Sequence, residues 1–361
     1  MKKLRIGIIG CGGIANGKHM PAISRLDNLE IVAFCDIIKE RAEKAAKEYG
    51  TRDAAIYTDY KELLKDESIN NVRILTPNRW HAVMTIDALD AGKHVMCEKP
   101  MATTYEETLR MIEAQKRTGK LLTIGYQHKF DPDVIYAKKE AVKGTFGDMY
   151  FIKANVIRRR GVPTWGVFTE KKEQGGGALI DIGTHALDIV LYLLDNYSPK
   201  MVLGTTYDKL KGQSESANPF GPWDCDNYDV EESAFGYIVM ENGATIILET
   251  SWALNTTDTA GIRYMVCGDK AGVDNYSGNL KINGVRNDKQ YVTEPDLTVG
   301  GVAFYEGKSE SPIVQEQKVF IDAILGQGEL VTLPEKAAVV TQILEGIYIS
   351  AQTGEPYYFN K

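Results

Sequence analysis

Asp181 and His185 lie four residues apart in a stretch that is otherwise apolar (Leu179, Ile180, Ile182, Ala186, Leu187, Ile189, Val190). On a helix that spacing puts both on one face. A carboxylate beside an imidazole orients the ring and raises its basicity, which suits a general base. The same pair also suits a satisfied polar contact inside a core, and spacing alone leaves both readings open. D-x-x-x-H could supply two legs of a metal site, but no third ligand is evident, so no metal is expected. A second reactive group is Lys99, which follows the short apolar run 94–97 and sits between Glu98 and Pro100. A lysine at a strand end, beside a carboxylate and held by a rigid proline, is placed for chemistry.

A third group binds rather than reacts. Gly10-Cys11-Gly12-Gly13-Ile14-Ala15 fits G-x-G-x-x-A. It follows a strand, opens a helix, and has an acid, Asp36, at the end of the next strand. Gly10 permits the tight turn, Gly12 lets backbone approach a pyrophosphate, and the small Ala15 lets helix pack on strand. Gly13 and Ile14 complete the turn, whose free N–H groups face the phosphates. A carboxylate at Asp36 would bind both ribose hydroxyls and repel a 2′-phosphate, favouring NAD over NADP. Arg41, close by, is the one feature that speaks for NADP.

These groups need elements to hold them. Over residues 1–126 strand-like and helix-like segments alternate: strands at 4–9, 29–35, 71–75, 94–97 and 121–124, with helices of about a dozen residues between. That rhythm implies a parallel sheet with helices on both faces. Residues 14–26 read as a helix that Pro21 should break or kink. Ligands bind outside the carboxyl ends of such strands, so Thr76 to His81 and Glu98-Lys99-Pro100 should line one crevice. After Tyr126 the rhythm changes. Longer strands at 149–158, 201–207, 233–240, 244–252 and 262–267 follow one another with few helices, and Asn242-Gly243 marks a hairpin. The expected fold is α/β: a Rossmann parallel sheet over 1–126, then an α+β domain over 127–361 with a mostly antiparallel sheet.

Composition bounds the partners. A chain of 361 residues exceeds the usual size of one core. A net charge of -7 offers no general attraction to phosphate backbones or anionic membranes, so neither a nucleic acid nor a membrane partner is expected. Five scattered cysteines without a C-x-x-C pair read as small buried hydrophobes in a reducing, cytoplasmic setting. The apolar run at 6–9 is too short for a signal peptide, and no run of about 18 apolar residues predicts a membrane span.

Taken in order, G-x-G-G-I-A, T-P-N-x-x-H, A-G-K-H-V-x-C-E-K-P, G-Y-Q and G-G-G-x-x-x-D-x-G-T-H-x-x-D resemble the glucose–fructose oxidoreductase/inositol dehydrogenase (Gfo/Idh/MocA) family. The likeness is dense to about Leu194 and thin beyond. In that family the lysine of E-K-P and the aspartate and histidine of D-x-x-x-H meet at the nicotinamide. The resemblance therefore implies His185 as general base, Asp181 as its orienter and a substrate contact, and Lys99 as hydrogen-bond donor and proton relay. It also implies Asn78, His81, Glu98 and Gln127 as residues lining the cofactor site. Many members carry Arg-Phe soon after G-Y-x; this chain has Lys129-Phe130, so the task of that arginine does not transfer.

Family substrates are mostly sugars and polyols, which implies oxidation of a ring hydroxyl of a sugar, glycoside or cyclic polyol to a keto-sugar, C3 being one candidate carbon. Trp165 could stack on a sugar face and Arg159 could reach the cleft; equally, they belong to an amphipathic strand with a packed tryptophan. Two rival readings remain: a glycosidase that oxidises transiently, eliminates and re-reduces, and a non-catalytic NAD-binding sensor. The apolar strands of the second domain imply a homo-oligomer through an outward sheet face.

Overall fold

The computed structural model describes residues 3–213, 217–297 and 310–359. It forms two compact units. One holds 1–127 together with 310–338; the other holds 128–309 together with 339–361.

The first unit is built on six strands: β1 (Leu4–Ile9), β2 (Leu29–Cys35), β3 (Gly50–Tyr57), β4 (Asn71–Ile74), β5 (His94–Glu98) and β6 (Leu122–Gly125). They are parallel and ordered β3-β2-β1-β4-β5-β6, the doubly wound arrangement expected from the alternation. The central strands are largely buried, and apolar residues dominate β1 and β2, whereas β4 carries the buried polar side chains Asn71 and Arg73. Strand β3 is absent from the sequence reading: it is the edge strand and carries exposed Arg52 and Asp53, so it lacks an apolar signature. The helical run spans 13–23, unbroken at Pro21, and stops short of Leu26. A π-helical turn, Ala15–His19, runs into a short helix, Met20–Ile23, and Pro21 sits in the first turn of that helix, where its missing N–H costs nothing.

The helix Pro312–Ile324 groups with this first unit although it follows all but the last strand of the second. Its Ile321 packs in the same apolar cluster as Ile6, Ile8 and Phe34. The expected division at residue 126 treats the chain as two consecutive pieces, and a helix that returns to the first core leaves no mark in local periodicity.

Among its described residues the second unit carries nine strands: β7 (Met149–Ile157), β8 (Pro199–Tyr207), β9 (Ser233–Met240), β10 (Thr245–Ser251), β11 (Ala260–Gly268), β12 (Ala271–Asp274), β13 (Lys281–Arg286), β14 (Lys289–Thr293) and β15 (Tyr357–Tyr358). Their order is β14-β13-β12-β11-β7-β10-β9-β8-β15. Only β7 and β10 pair in parallel; every other pairing is antiparallel. The hairpin at Asn242-Gly243 joins β9 to β10, with Gly243 at φ +88°. Among the described residues one helical stretch, Lys171–Leu194, is long and apolar enough to cross a membrane, yet 83% of its apolar window is buried inside the protein, as in a core helix. Cys11, Cys35 and Cys97 are buried as expected, whereas Cys225 is exposed.

Candidate functional site: two sets of residues at strand ends and on one helix

In the first unit, the turn after β1 is dictated by close packing. Gly10 has φ +94°, and a Cβ there would lie 2.5 Å from the Leu75 carbonyl oxygen. Only glycine relieves both constraints. A Cβ on Gly12 or Gly13 would meet nothing within 4 Å, so this backbone is open to a ligand. The Asp36 carboxylate turns towards it. One oxygen accepts the Cys11 N–H at 2.8 Å and the other the Ile38 N–H at 2.9 Å. Each oxygen keeps a lone pair for a ribose hydroxyl. Ile37, next to Asp36, is 88% exposed, an apolar surface suited to packing on a flat ring and unmarked by the sequence reading. These features fit a dinucleotide. Ile14 is half-buried at the start of the π-helical turn, and Arg41 is exposed.

The ends of β4 and β5 are tied together from below. His81 is fully buried; its Nδ1 lies 2.7 Å from the Pro100 carbonyl and its Nε2 2.9 Å from the Thr76 carbonyl. His81, expected among the residues that line the cofactor site, thus braces the ends of β4 and β5. Burial pushes its pKa down, against those two carbonyls and nearby Glu98, which push it up. Asn78 is half-buried in a 3-10 turn, Asn78–Trp80, directly after Pro77, and Gln127 is buried in the 3-10 turn Gln127–Phe130. Glu98 is 5% exposed. Its Oε1 lies 2.6 Å from His19 Nε2, and its Oε2 accepts the Lys99 N–H at 3.0 Å. Burial raises the Glu98 carboxyl, but the His19 bond and the charge of Lys99 outweigh it, so its pKa lies below the usual value. Lys99 thus follows a residue held almost rigidly.

In the second unit, Asp181 sits in a π-helical turn, Leu179–Gly183, and His185 in the first turn of the helix Thr184–Leu194. Such turns cluster at functional sites. The fully buried Trp252 donates its indole N–H to Asp181 Oδ2 at 3.0 Å. The His128 ring meets the His185 ring edge-on, with centroids 4.9 Å apart, and its Nδ1 lies 2.7 Å from Asp131 Oδ2. Lys129 Nζ lies 2.8 Å from Asp188 Oδ1, and both side chains are buried. That pairing gives Lys129 its task. Glu231 anchors the start of the helical stretch: its carboxylate accepts the N–H groups of Gly177 and Leu179 and the Tyr348 hydroxyl at 2.9–3.0 Å. Burial raises the Glu231 carboxyl, against those three bonds. A Cβ on Gly177 would collide with the Glu231 carbonyl oxygen and one on Gly176 with the Tyr348 hydroxyl, which explains glycine at these two positions.

Trp252, His128 and Glu231 escaped the sequence reading. Trp252 is 71 residues from Asp181, and no local spacing links them. Trp165 is 52% exposed and contacts Phe168 and Phe220 edge-on, at centroid distances of 5.9 and 4.9 Å. Arg159 is exposed. Among the described residues, no group of three or more His, Cys, Asp or Glu side chains is placed to hold a metal.

The sequence matches two family models. Residues 4–126 match the oxidoreductase family, NAD-binding Rossmann fold, and residues 139–359 match the oxidoreductase family, C-terminal alpha/beta domain. The D-glucoside 3-dehydrogenase of Escherichia coli (strain K12) is 34% identical over 351 residues, covering 97% of this chain and 96% of that protein. An oxidoreductase domain protein from Kribbella flavida superposes with a TM-score of 0.85 at 21% identity over the whole of both chains. A levoglucosan dehydrogenase complex with NADH and levoglucosan superposes with a TM-score of 0.82 at 23% identity, again over the whole of both chains. With both of its units matched and a relative aligned over nearly its whole length, the chain belongs to the Gfo/Idh/MocA family of oxidoreductases.

Proposed function

We propose that this protein is an NAD-dependent sugar dehydrogenase that oxidises a ring secondary hydroxyl of a glycoside, at C3, to the keto-sugar. The observation that carries this reading is the 34% identity to a D-glucoside 3-dehydrogenase over 97% of the chain. Lys99, Asp181 and His185 are the catalytic residues of the proposal. His185 takes the hydroxyl proton, Asp181 orients the ring and contacts substrate, and Lys99 donates a hydrogen bond to the alcohol oxygen. NAD supplies the hydride acceptor. The Asp36 carboxylate, turned towards the glycine turn, supports NAD over NADP.

Purified protein incubated with NAD, or with NADP, and a panel of glucosides, free sugars and inositols tests this. A 3-keto-glucoside formed with stoichiometric NADH is the expected product. No reduced cofactor and no keto product with any of the panel would reject the dehydrogenase reading, and net hydrolysis without NADH would replace it with the glycosidase.

A homo-oligomer and a cytoplasmic setting belong to the same proposal. Leu203, Tyr237 and Ile247 form a row across β8, β9 and β10, and Leu203 and Tyr237 are 44% and 46% exposed. An apolar row of this kind on an outward sheet face supports self-association. Light scattering is expected to return a multiple of 40.1 kDa, and the monomer mass at micromolar concentration would reject it. Five free thiols suit a reducing compartment.

A further inference from the structure

We propose that Gln317 and His19 are positioning residues for the Glu98–Lys99–Pro100 turn, acting through one directed hydrogen-bond chain that starts at buried Arg73. The inference rests on the reading of Lys99 as catalytic.

The chain runs Arg73, Gln317, His19, Glu98. Arg73 Nε donates to Gln317 Oε1 at 2.8 Å, and Gln317 Nε2 faces His19 Nδ1 at 3.1 Å. His19 Nε2 then faces Glu98 Oε1 at 2.6 Å. Arg73, His19 and Gln317 are fully buried, and Glu98 is 5% exposed. All four belong to the first unit, Gln317 through the returning helix Pro312–Ile324.

The donors have only one consistent order. A guanidinium has donors and no acceptor, so the amide oxygen of Gln317 must face it. The amide NH₂ then faces His19 Nδ1, which must accept. The His19 proton is therefore on Nε2, from where it is donated to Glu98. Flipping the amide would set N–H against N–H at Arg73, and moving the proton to Nδ1 would set it against the amide NH₂ and leave Nε2 lone pair against carboxylate. Orientations of amides and tautomers follow from such networks. A chain whose donors all point one way polarises each link, and here it leads from a cation to the carboxylate that accepts the Lys99 N–H. Arg73 is itself held by Asn71 Oδ1 at 2.6 Å and by the Phe320 ring at 4.9 Å, with the Glu316 carboxylate contributing opposite charge. His81 and Lys99 are the other charged or titratable groups acting on Glu98.

Two variants separate positioning from packing. Gln317→Leu fills the volume but cuts the chain. Gln317→Glu restores it: the new carboxylate accepts from Arg73 and from a doubly protonated His19, which still donates to Glu98. Expected for Gln317→Leu is a kcat lowered about tenfold with KM little changed, and an acid limb of kcat/KM moved up by about one pH unit. Gln317→Glu is expected to retain most of the activity and the wild-type acid limb. A packing role predicts the reverse order, because leucine suits a buried site better than an added carboxylate. A Leu variant with wild-type kcat and pH profile overturns the proposal.

A second measurement needs neither a variant nor a substrate. Long-range ¹⁵N–¹H spectra of the wild-type protein, labelled at its five histidines, are expected to show His19 as the neutral Nε2–H tautomer at pH 7. An Nδ1–H tautomer or an imidazolium overturns the chain even if every substrate fails. If the tautomer is as expected while Lys99 variants turn over normally, the catalytic reading fails instead.

Discussion

Replacing His185 with alanine is expected to lower kcat by about 10²–10⁴, the range by which a positioned general base accelerates proton transfer. His185 is buried, with 9% of the residue exposed. His128 packs against it edge-on. The Asp181 carboxylate, four residues before it, is held by the indole of Trp252. Removing the imidazole leaves those neighbours in place and deletes the proposed base. Binding of NAD should change little, because the glycine turn and Asp36 belong to the other compact unit. Lys99→Met should act in the same direction, with a loss of similar order. Single-turnover kinetics with the preferred sugar substrate, alongside NAD titration by fluorescence, separates the two effects. Turnover by His185→Ala within roughly threefold of wild type would remove His185 as the base.

Lys129→Met is expected to have the largest effect on stability, about 3–5 kcal/mol at pH 7. Lys129 and Asp188 are both 1% exposed and lie 2.8 Å apart. Removing the ammonium leaves a carboxylate buried without its countercharge. Replacing both partners with apolar side chains of similar volume, Lys129→Met with Asp188→Leu, should recover most of the loss. The pH dependence has a definite sign. Burial already raises the Asp188 carboxyl above the ordinary range, and Lys129 is the strongest influence lowering it. Without Lys129 the carboxyl rises further. A group whose folded pKa is raised holds its full stability below its unfolded pKa and loses it as pH rises through the folded value. The deficit of the variant should therefore be smallest near pH 4 and grow towards pH 7. Urea melts across that range measure it. A deficit independent of pH would mean that the pair contributes packing and not charge.

Lys129 also shows what a departure from a family pattern can hide. The family resemblance implies arginine soon after G-Y-x, and the sequence offered no partner for the lysine found here. Its partner, Asp188, lies 59 residues on, within the helix that carries His185.

The legible part of this protein is local. The glycine turn, Asp36, Glu98-Lys99-Pro100 and the Asp181–His185 spacing each occupy one strand end or a few turns of helix. Such signals survive in a linear sequence because strand and helix periods are short and the turn chemistry of glycine and proline is strong. Five of the six strands of the first unit followed from the same alternation. What tertiary structure alone decided is which distant groups support those local ones: Gln317 beneath Glu98 by way of His19, Trp252 on Asp181, Glu231 at the start of the Asp181 helix, His81 beneath the ends of β4 and β5. Arg73 and Gln317 are separated by 244 residues. No periodicity spans that distance; only burial, which leaves a donor no partner but the acceptor packed against it, selects the pairing.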